Sequence, residues 1–220
     1  GKDALTGFKR YYKGEVTSES LPTLNQLNFS VEIAQLRASK PDAVYIFLPG
    51  GMGINFIKQF VAAGLPKDIT LFGPGFSGDE DVIRAVGESM LGMFNTSQWG
   101  HDMDNAANKK FVAAFEKEYG RLPTLYAAQG YDAAQLMDAA VRDSKGKLDD
   151  KAAVRKALEA AKFNSVRGNF KFNTNHFPIQ DYYARVITKD AKGRITNRLL
   201  ATPVLKNHAD AYVGSCKMPS

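Results

Sequence analysis

Two glycine-rich loops hold most of the residues in this sequence whose type and spacing could do chemistry. Pro49-Gly50-Gly51-Met52-Gly53 follows the apolar run Val44 to Leu48, and Gly73-Pro74-Gly75-Phe76-Ser77-Gly78 follows Ile69 to Phe72. Glycines allow backbone conformations that a side chain forbids, and a loop that opens a helix presents N–H groups to an anion. Gly51 and Gly53 fill the first two positions of a G-x-G-x-x-G dinucleotide pattern. Phe56 stands at the third, where close helix–strand packing needs glycine, and no acidic residue closes the strand Ile69 to Phe72 to hold a ribose. No G-x-x-x-x-G-K-[ST] phosphate loop occurs. No nucleotide, and no other cofactor, is expected.

Catalytic and metal-binding sets are equally thin. His101, His176 and His208 fall in unrelated contexts without a ligand-spaced partner. A Gly-x-Ser-x-Gly nucleophile elbow is absent. The acidic groups Asp79-Glu80-Asp81 and Asp149-Asp150 sit at helix starts, where they complement the helix dipole. An enzyme is therefore not expected, nor a metal site. A binding surface is what is left: Pro49, Gly50, Gly51 and Met52 offering backbone donors, Gly75 and Phe76 in the neighbouring loop, and Trp99 after a third strand. A flat apolar ligand with a carboxylate suits that mixture. Burial in the core is the alternative for Phe76 and Trp99.

The elements that must position these loops alternate. Asp3 can cap a first helix with Leu5, Phe8, Tyr11 and Tyr12 on its apolar side, ended by Gly14. Glu15 to Thr23 reads as extended. Asn28 or Ser30 caps a helix closed by Ser39-Lys40-Pro41. Asp42 to Leu48, with no polar interruption from Val44 on, reads as a strand buried on both faces of a parallel sheet. Ile54, Ile57, Val61 and Leu65 then recur at helical spacing. A strand at Ile69 to Phe72, a short helix started by Asp79 or Asp81, and a strand at Leu91 to Thr96 complete a parallel α/β pattern with right-handed crossovers. Phe111, Phe115 and Tyr119 mark the next helix. Thr124 caps another that runs to about Arg142 with Tyr131, Ala134 and Met137 inward, and Asp149 or Asp150 caps a third. Residues 165–203 change to alternation and turn signals, as in two or three antiparallel strands.

The bulk numbers fit a globular chain. It has 220 residues, 44% hydrophobic and 24% charged, and a formal net charge of +6. Basic residues are interspersed with acids, so nucleic-acid binding is not expected. No apolar run approaches the roughly 18 residues of a membrane span. The single cysteine, Cys216, cannot form an internal disulfide.

The order of these pieces resembles the periplasmic substrate-binding proteins of the branched-chain amino acid type, which deliver small molecules to ATP-driven (ABC) importers. The likeness is carried by Asn28-Phe29-Ser30, Lys40-Pro41-Asp42-Ala43-Val44, Phe60-Val61-Ala62-Ala63-Gly64 and Phe72-Gly73-Pro74. It continues through Phe111-Val112, Tyr119-Gly120, Pro123, Gly130-Tyr131-Asp132-Ala133, and Gly168 with Phe170-Lys171-Phe172. The resemblance implies the type I binding-protein fold: a Rossmann-like parallel sheet flanked by helices, with a C-terminal antiparallel hairpin region, in two lobes that close on ligand. It implies further that residues 1–120 belong to the second lobe, 121–163 are helices that pack on the first, 164–203 return to the second, and 204–220 are a tail. Most of the first lobe would be absent, which would also have removed the partner of Cys216. Tyr126 to Val141 would then carry an uncovered apolar face, inviting self-association.

Departures narrow the implied ligand. Amino-acid-binding members are similar in placing an acid after the Gly-Pro that ends the strand, where Gly75 stands here, and an aromatic residue where Pro49 stands. A buried ammonium without a carboxylate is costly, so the resemblance implies a small carboxylic acid, aromatic and benzoate- or cinnamate-like. Branched-chain amino acid binding, or the sensing domain of a receptor or regulator on the same fold, is the alternative. The implied partners are the small-molecule ligand and the membrane permease of an ABC importer, and the implied location is the periplasm.

Overall fold

The computed structural model describes residues 1–200, 202–216 and 218. Residues 217, 219 and 220 of the expected tail, and residue 201, lie outside the described residues. The chain forms two compact units, Gly1–Thr96 with Arg185–Asn197, and Ser97–Ala184 with Arg198–Ser220. It passes from one to the other at 96/97, 184/185 and 197/198.

The first unit opens with α1 (Lys2–Tyr11), which has Asp3 in its first turn and Lys9 and Arg10 in its last, as the helix dipole favours. Gly1 rather than Asp3 stands at its N-cap. In front of α2 (Ser30–Ser39) the side chain of Asn28 accepts the Ser30 N–H at 2.9 Å, while Phe29 holds the N-cap position and is fully buried. Gln59 of α3 (Gly51–Ala62) fixes that junction from the far side: its amide accepts the Phe29 N–H and donates to the Leu27 carbonyl, both at 2.8 Å. Strands β1 (Ala43–Tyr45), β2 (Thr70–Pro74) and β3 (Phe94–Ser97) are parallel, with Tyr45 opposite Phe72 and Phe72 opposite Phe94. Helix α4 (Glu80–Val86) lies between β2 and β3 in the chain. Parts of β5 (Pro178–Lys189) and β6 (Ile195–Leu199) complete this unit, Ile187 bonding the Met93 carbonyl at 3.0 Å.

The apolar run through β1 is not buried on both faces. Ile46 and Leu48 enter a core with Phe56, Ile57, Phe60, Leu71, Met93 and Ile187, whereas Tyr45 and Phe47 are each 39% exposed. Burial alternates because this core lies on one side of the sheet. The other side carries Tyr45 with Phe8 of α1 stacked on it at 5.2 Å.

The second unit contains α5 (Ala106–Tyr119), α6 (Leu125–Asp143), α7 (Lys151–Ala160), β4 (Lys171–Phe172), the first part of β5, and β7 (Leu205–His208). Side chains of Asn105, Thr124 and Asp150 accept N–H groups three residues on and so cap α5, α6 and α7. Phe172 pairs with Pro178 and Gln180 with His208, both antiparallel. Strand β7 is additional to the sequence expectation.

Helix α6 is rotated from the expected orientation. Leu125, Ala128, Asp132, Ala139 and Ala140 are buried, Tyr131 packs on Phe111 at 4.7 Å, and Ala134 and Met137 face outward. Tyr126 and Val141 are exposed with Met137. Asp132 accounts for this rotation. Its carboxylate, 1% exposed, accepts the Ser165 hydroxyl at 2.5 Å, the Val166 N–H at 2.9 Å and Arg167 Nε at 2.9 Å. A carboxylate with three donors is satisfied in the interior, and the helix turns to place it there.

Asp132→Ala leaves the Arg167 guanidinium without its carboxylate and is expected to cost about 3 kcal/mol or more in urea unfolding. Asp138→Ala, which breaks the exposed pair with Arg142, is expected to cost less than about 1 kcal/mol. In the β5–β6 turn, Asp190 accepts from Arg194 Nε at 2.8 Å and from the N–H groups of Lys192 and Arg194. The Arg194 bond, followed by these backbone bonds, lowers its carboxyl to about 2. A lowered carboxyl stabilises the fold above its unfolded value of about 3.9 and loses that contribution as pH falls through the folded value. Protection of the Lys192 and Arg194 amides, measured against unstructured amides at the same pH, should therefore hold down to about pH 4 and fall between about pH 4 and 2.

Candidate functional site

Both glycine-rich loops lie in the first unit, after the ends of β1 and β2. Pro49 and Gly50 form an exposed turn, and Gly51 and Met52 already belong to α3 rather than to a loop. Gly50 has φ +55° and ψ −131°, a conformation that only glycine adopts without strain, and it supplies no capping side chain. The Ile54 N–H makes the bond to the Gly50 carbonyl, at 3.2 Å. The N–H groups of Gly51, Met52 and Gly53 precede that bond and point out of the helix end. The side chain of Met52, 7% exposed, is part of the core, so what it offers a ligand is backbone.

Gly53 sets how closely the helix approaches the strand. A Cβ at this position would lie 2.5 Å from the Leu48 carbonyl oxygen, while at Gly51 it would meet nothing within 4 Å. The close contact that the dinucleotide pattern assigns to its third glycine is made here by Gly53, and Phe56 lies in the core below.

Gly75 to Gly78 form a single 3-10 turn. Phe76 is half-buried and meets Phe47 edge to face, with ring centroids 5.1 Å apart at 86°. That contact brings the two loops together. Phe47 was absent from the residues singled out by sequence, because nothing in the uninterrupted apolar run Val44 to Leu48 marks which residues face away from the core. Ser77 was missed as well: it is 2% exposed and its hydroxyl has no hydrogen-bond partner among the described residues. No charged side chain occurs at positions 49–53 or 75–78. The next carboxylates, Asp79 and Glu80, are buried.

Trp99 belongs to the second unit and the other six candidates to the first. It is 2% exposed, and its indole N–H donates to Asn108 Oδ1 at 2.7 Å. The Asn108 amide donates in turn to the carbonyls of Gly100, His101 and Met103, and Trp99 meets Phe111 edge-on at 6.2 Å. The side chain thus organises the interior of that unit. A cavity of about 250 Å³ in the same unit, of mixed polar and apolar lining, is bordered by Met103, Arg167, Asp181, Tyr183 and Leu199 among others. Burial, and then the Asp181 charge, raises the Tyr183 hydroxyl pKa.

The family described as periplasmic binding protein matches residues 1–193. A solute-binding protein of an ABC transporter from R. palustris, solved in complex with benzoate, is 36% identical with a TM-score of 0.85, over 99% of this chain and 58% of that one. A solute-binding protein from Rhodopseudomonas palustris HaA2, in complex with p-hydroxybenzoic acid, is 26% identical with a TM-score of 0.86, over 98% of this chain and 60% of that one. The Leu/Ile/Val-binding protein homolog 6 of Brucella melitensis is 29% identical over 210 residues, 92% of this chain and 54% of the relative. The chain thus spans a little over half the length of the proteins it matches.

Gly53→Ala should push α3 off the end of β1 and lower stability by about 1–3 kcal/mol. Gly51→Ala, with open space around its Cβ, should be neutral or stabilising by up to about 1 kcal/mol. Thermal unfolding of the two variants side by side reads the difference.

Proposed function

This chain belongs to the periplasmic binding protein family, and from that premise we propose that it is part of the solute-binding component of an ABC importer. Its ligand is a small carboxylic acid, aromatic and benzoate- or cinnamate-like. The first unit contributes one wall of the ligand cleft through Pro49, Gly50, Gly51, Met52, Gly75 and Phe76. The protein binds and releases without turnover, works in the periplasm, and delivers to a membrane permease.

The observation that carries this reading is the start of α3. Three backbone N–H groups at the positive end of a 12-residue helix, with no capping side chain, follow closely in the chain on Phe47, whose ring meets that of Phe76. Such an end accepts a carboxylate, and an aromatic edge or face beside it accepts a ring. The absence of charge at positions 49–53 and 75–78 argues against an α-amino acid, whose ammonium needs a carboxylate when desolvated. The acids nearest in sequence, Asp79 and Glu80, are buried, and Glu80 already accepts from the Thr196 hydroxyl and the Asn197 N–H. The R. palustris proteins solved with benzoate and p-hydroxybenzoic acid support the aromatic reading. The likeness to the Brucella protein supports the branched-chain alternative.

Thermal-shift measurements with benzoate, 4-hydroxybenzoate and leucine separate the two. A ligand at a hundred times its Kd stabilises the folded chain by about 2.7 kcal/mol, which for this length is a shift of several degrees. The benzoates are expected to raise Tm and leucine to leave it unchanged, and Phe76→Ala is expected to weaken benzoate by about 1 kcal/mol. Stabilisation by leucine alone would contradict the proposal.

A further inference from the structure

All three passages between the units leave the first unit beside one buried polar cluster. Asn95, Arg185 and Asn197 adjoin or border the passages at 96/97, 184/185 and 197/198, and each is no more than 4% exposed. The amides of Asn95 and Asn197 exchange two hydrogen bonds, at 3.0 and 2.9 Å, although 102 residues separate them in the chain. The Arg185 guanidinium donates to the Asn197 carbonyl. One carboxylate oxygen of Glu80 accepts the Thr196 hydroxyl at 2.6 Å and the Asn197 N–H at 3.1 Å.

The same cluster reaches the second glycine-rich turn. A Cβ on Gly78 would lie 2.5 Å from Asn95 Nδ2, 2.8 Å from Asn95 Cγ and 3.3 Å from Asn197 Nδ2. The backbone that ends the Gly75–Gly78 turn therefore rests directly on the asparagine pair, and Glu80 follows two residues later at the start of α4. A reciprocal amide pair is self-complementary, each side chain giving one donor and one acceptor, so it tolerates neither an aspartate nor a lost partner without leaving a buried group unsatisfied. Buried and bonded on both sides, it is stiff.

We propose that Asn95, Asn197 and Glu80 are positioning residues that make the Gly75–Gly78 turn and the first-unit ends of all three passages move as one body. A ligand that displaces Gly75 or Phe76 thereby acts on the passages through Gly78 and Glu80, without touching them. The meaning of that turn as a ligand contact rests on the reading given above. The mechanical coupling does not, and its test uses no ligand.

The test is peptide-resolved hydrogen exchange on the 220-residue chain, with substitutions made from either side of the cluster. Asn95→Ala acts from the passages and Gly78→Ala from the turn, where the added methyl must push the Asn95 amide aside. Each is expected to speed exchange about tenfold in peptides covering 75–80, 94–97, 185–187 and 195–197 together, with α3 at 54–60 unchanged. Glu80→Ala, which removes the acceptor of the Thr196 hydroxyl and the Asn197 N–H, should do the same. A response to Gly78→Ala confined to 75–80, a response to Asn95→Ala confined to 94–97, or equal acceleration everywhere would overturn the coupling. Failure of benzoate binding would bear on the ligand assignment and leave these exchange patterns to be judged by themselves.

Discussion

The carbonyl oxygen of Leu48 leaves no room for a side chain at position 53: a methyl group there would come within 2.5 Å. Glycine removes the obstacle, and α3 can then begin directly over the end of β1 instead of after a longer loop. From that contact follow the tight turn at Pro49-Gly50, the left-handed backbone of Gly50, and three N–H groups held at the edge of the sheet. The same placement puts Phe56, Ile57 and Phe60 of α3 against Phe29, Ile46 and Leu71. One close approach thus links core packing to the position of the backbone donors, as expected where strands of an α/β sheet end.

Buried polar groups settle what apolar packing leaves open. Asp132 turns α6 on its axis and ties residues 165–167 to it. Asn108 gathers the indole of Trp99 and three carbonyls of the chain around it. Asn95, Asn197 and Glu80 join distant strands in the first unit. In each case a wrong register would strand a donor or acceptor away from water, at a cost of about 1–3 kcal/mol per group. Hydrophobic burial is tolerant of small slips and rotations by comparison.

That division explains which features were legible in the sequence. The caps at Thr124 and Asp150 were readable because capping joins residues three apart. Parallel strands alternating with helices were readable from periodicity, and the order of motifs carried the family resemblance. The two faces of β1 were not readable, because an uninterrupted apolar run has no period to show which side meets the core. The rotation of α6 was hidden for a different reason: Asp132 is satisfied by residues more than 30 positions away. Trp99 could be read either way until its partner Asn108 was seen on another element. At the candidate site the glycines and Phe76 were visible as residue types. Phe47 and the asparagine pair emerge only from side-chain contacts between residues far apart in the chain.

The central claim is that the start of α3 and the neighbouring aromatic pair hold an aromatic carboxylate. Amide NMR of the isotopically labelled chain during a benzoate titration tests it most directly, since weak binding still moves resonances. The account predicts saturable shifts at the Gly51, Met52, Gly53 and Phe76 amides, with leucine leaving them in place. Saturable shifts produced by leucine at these amides and not by benzoate, or benzoate shifts confined to other parts of the chain, would contradict it.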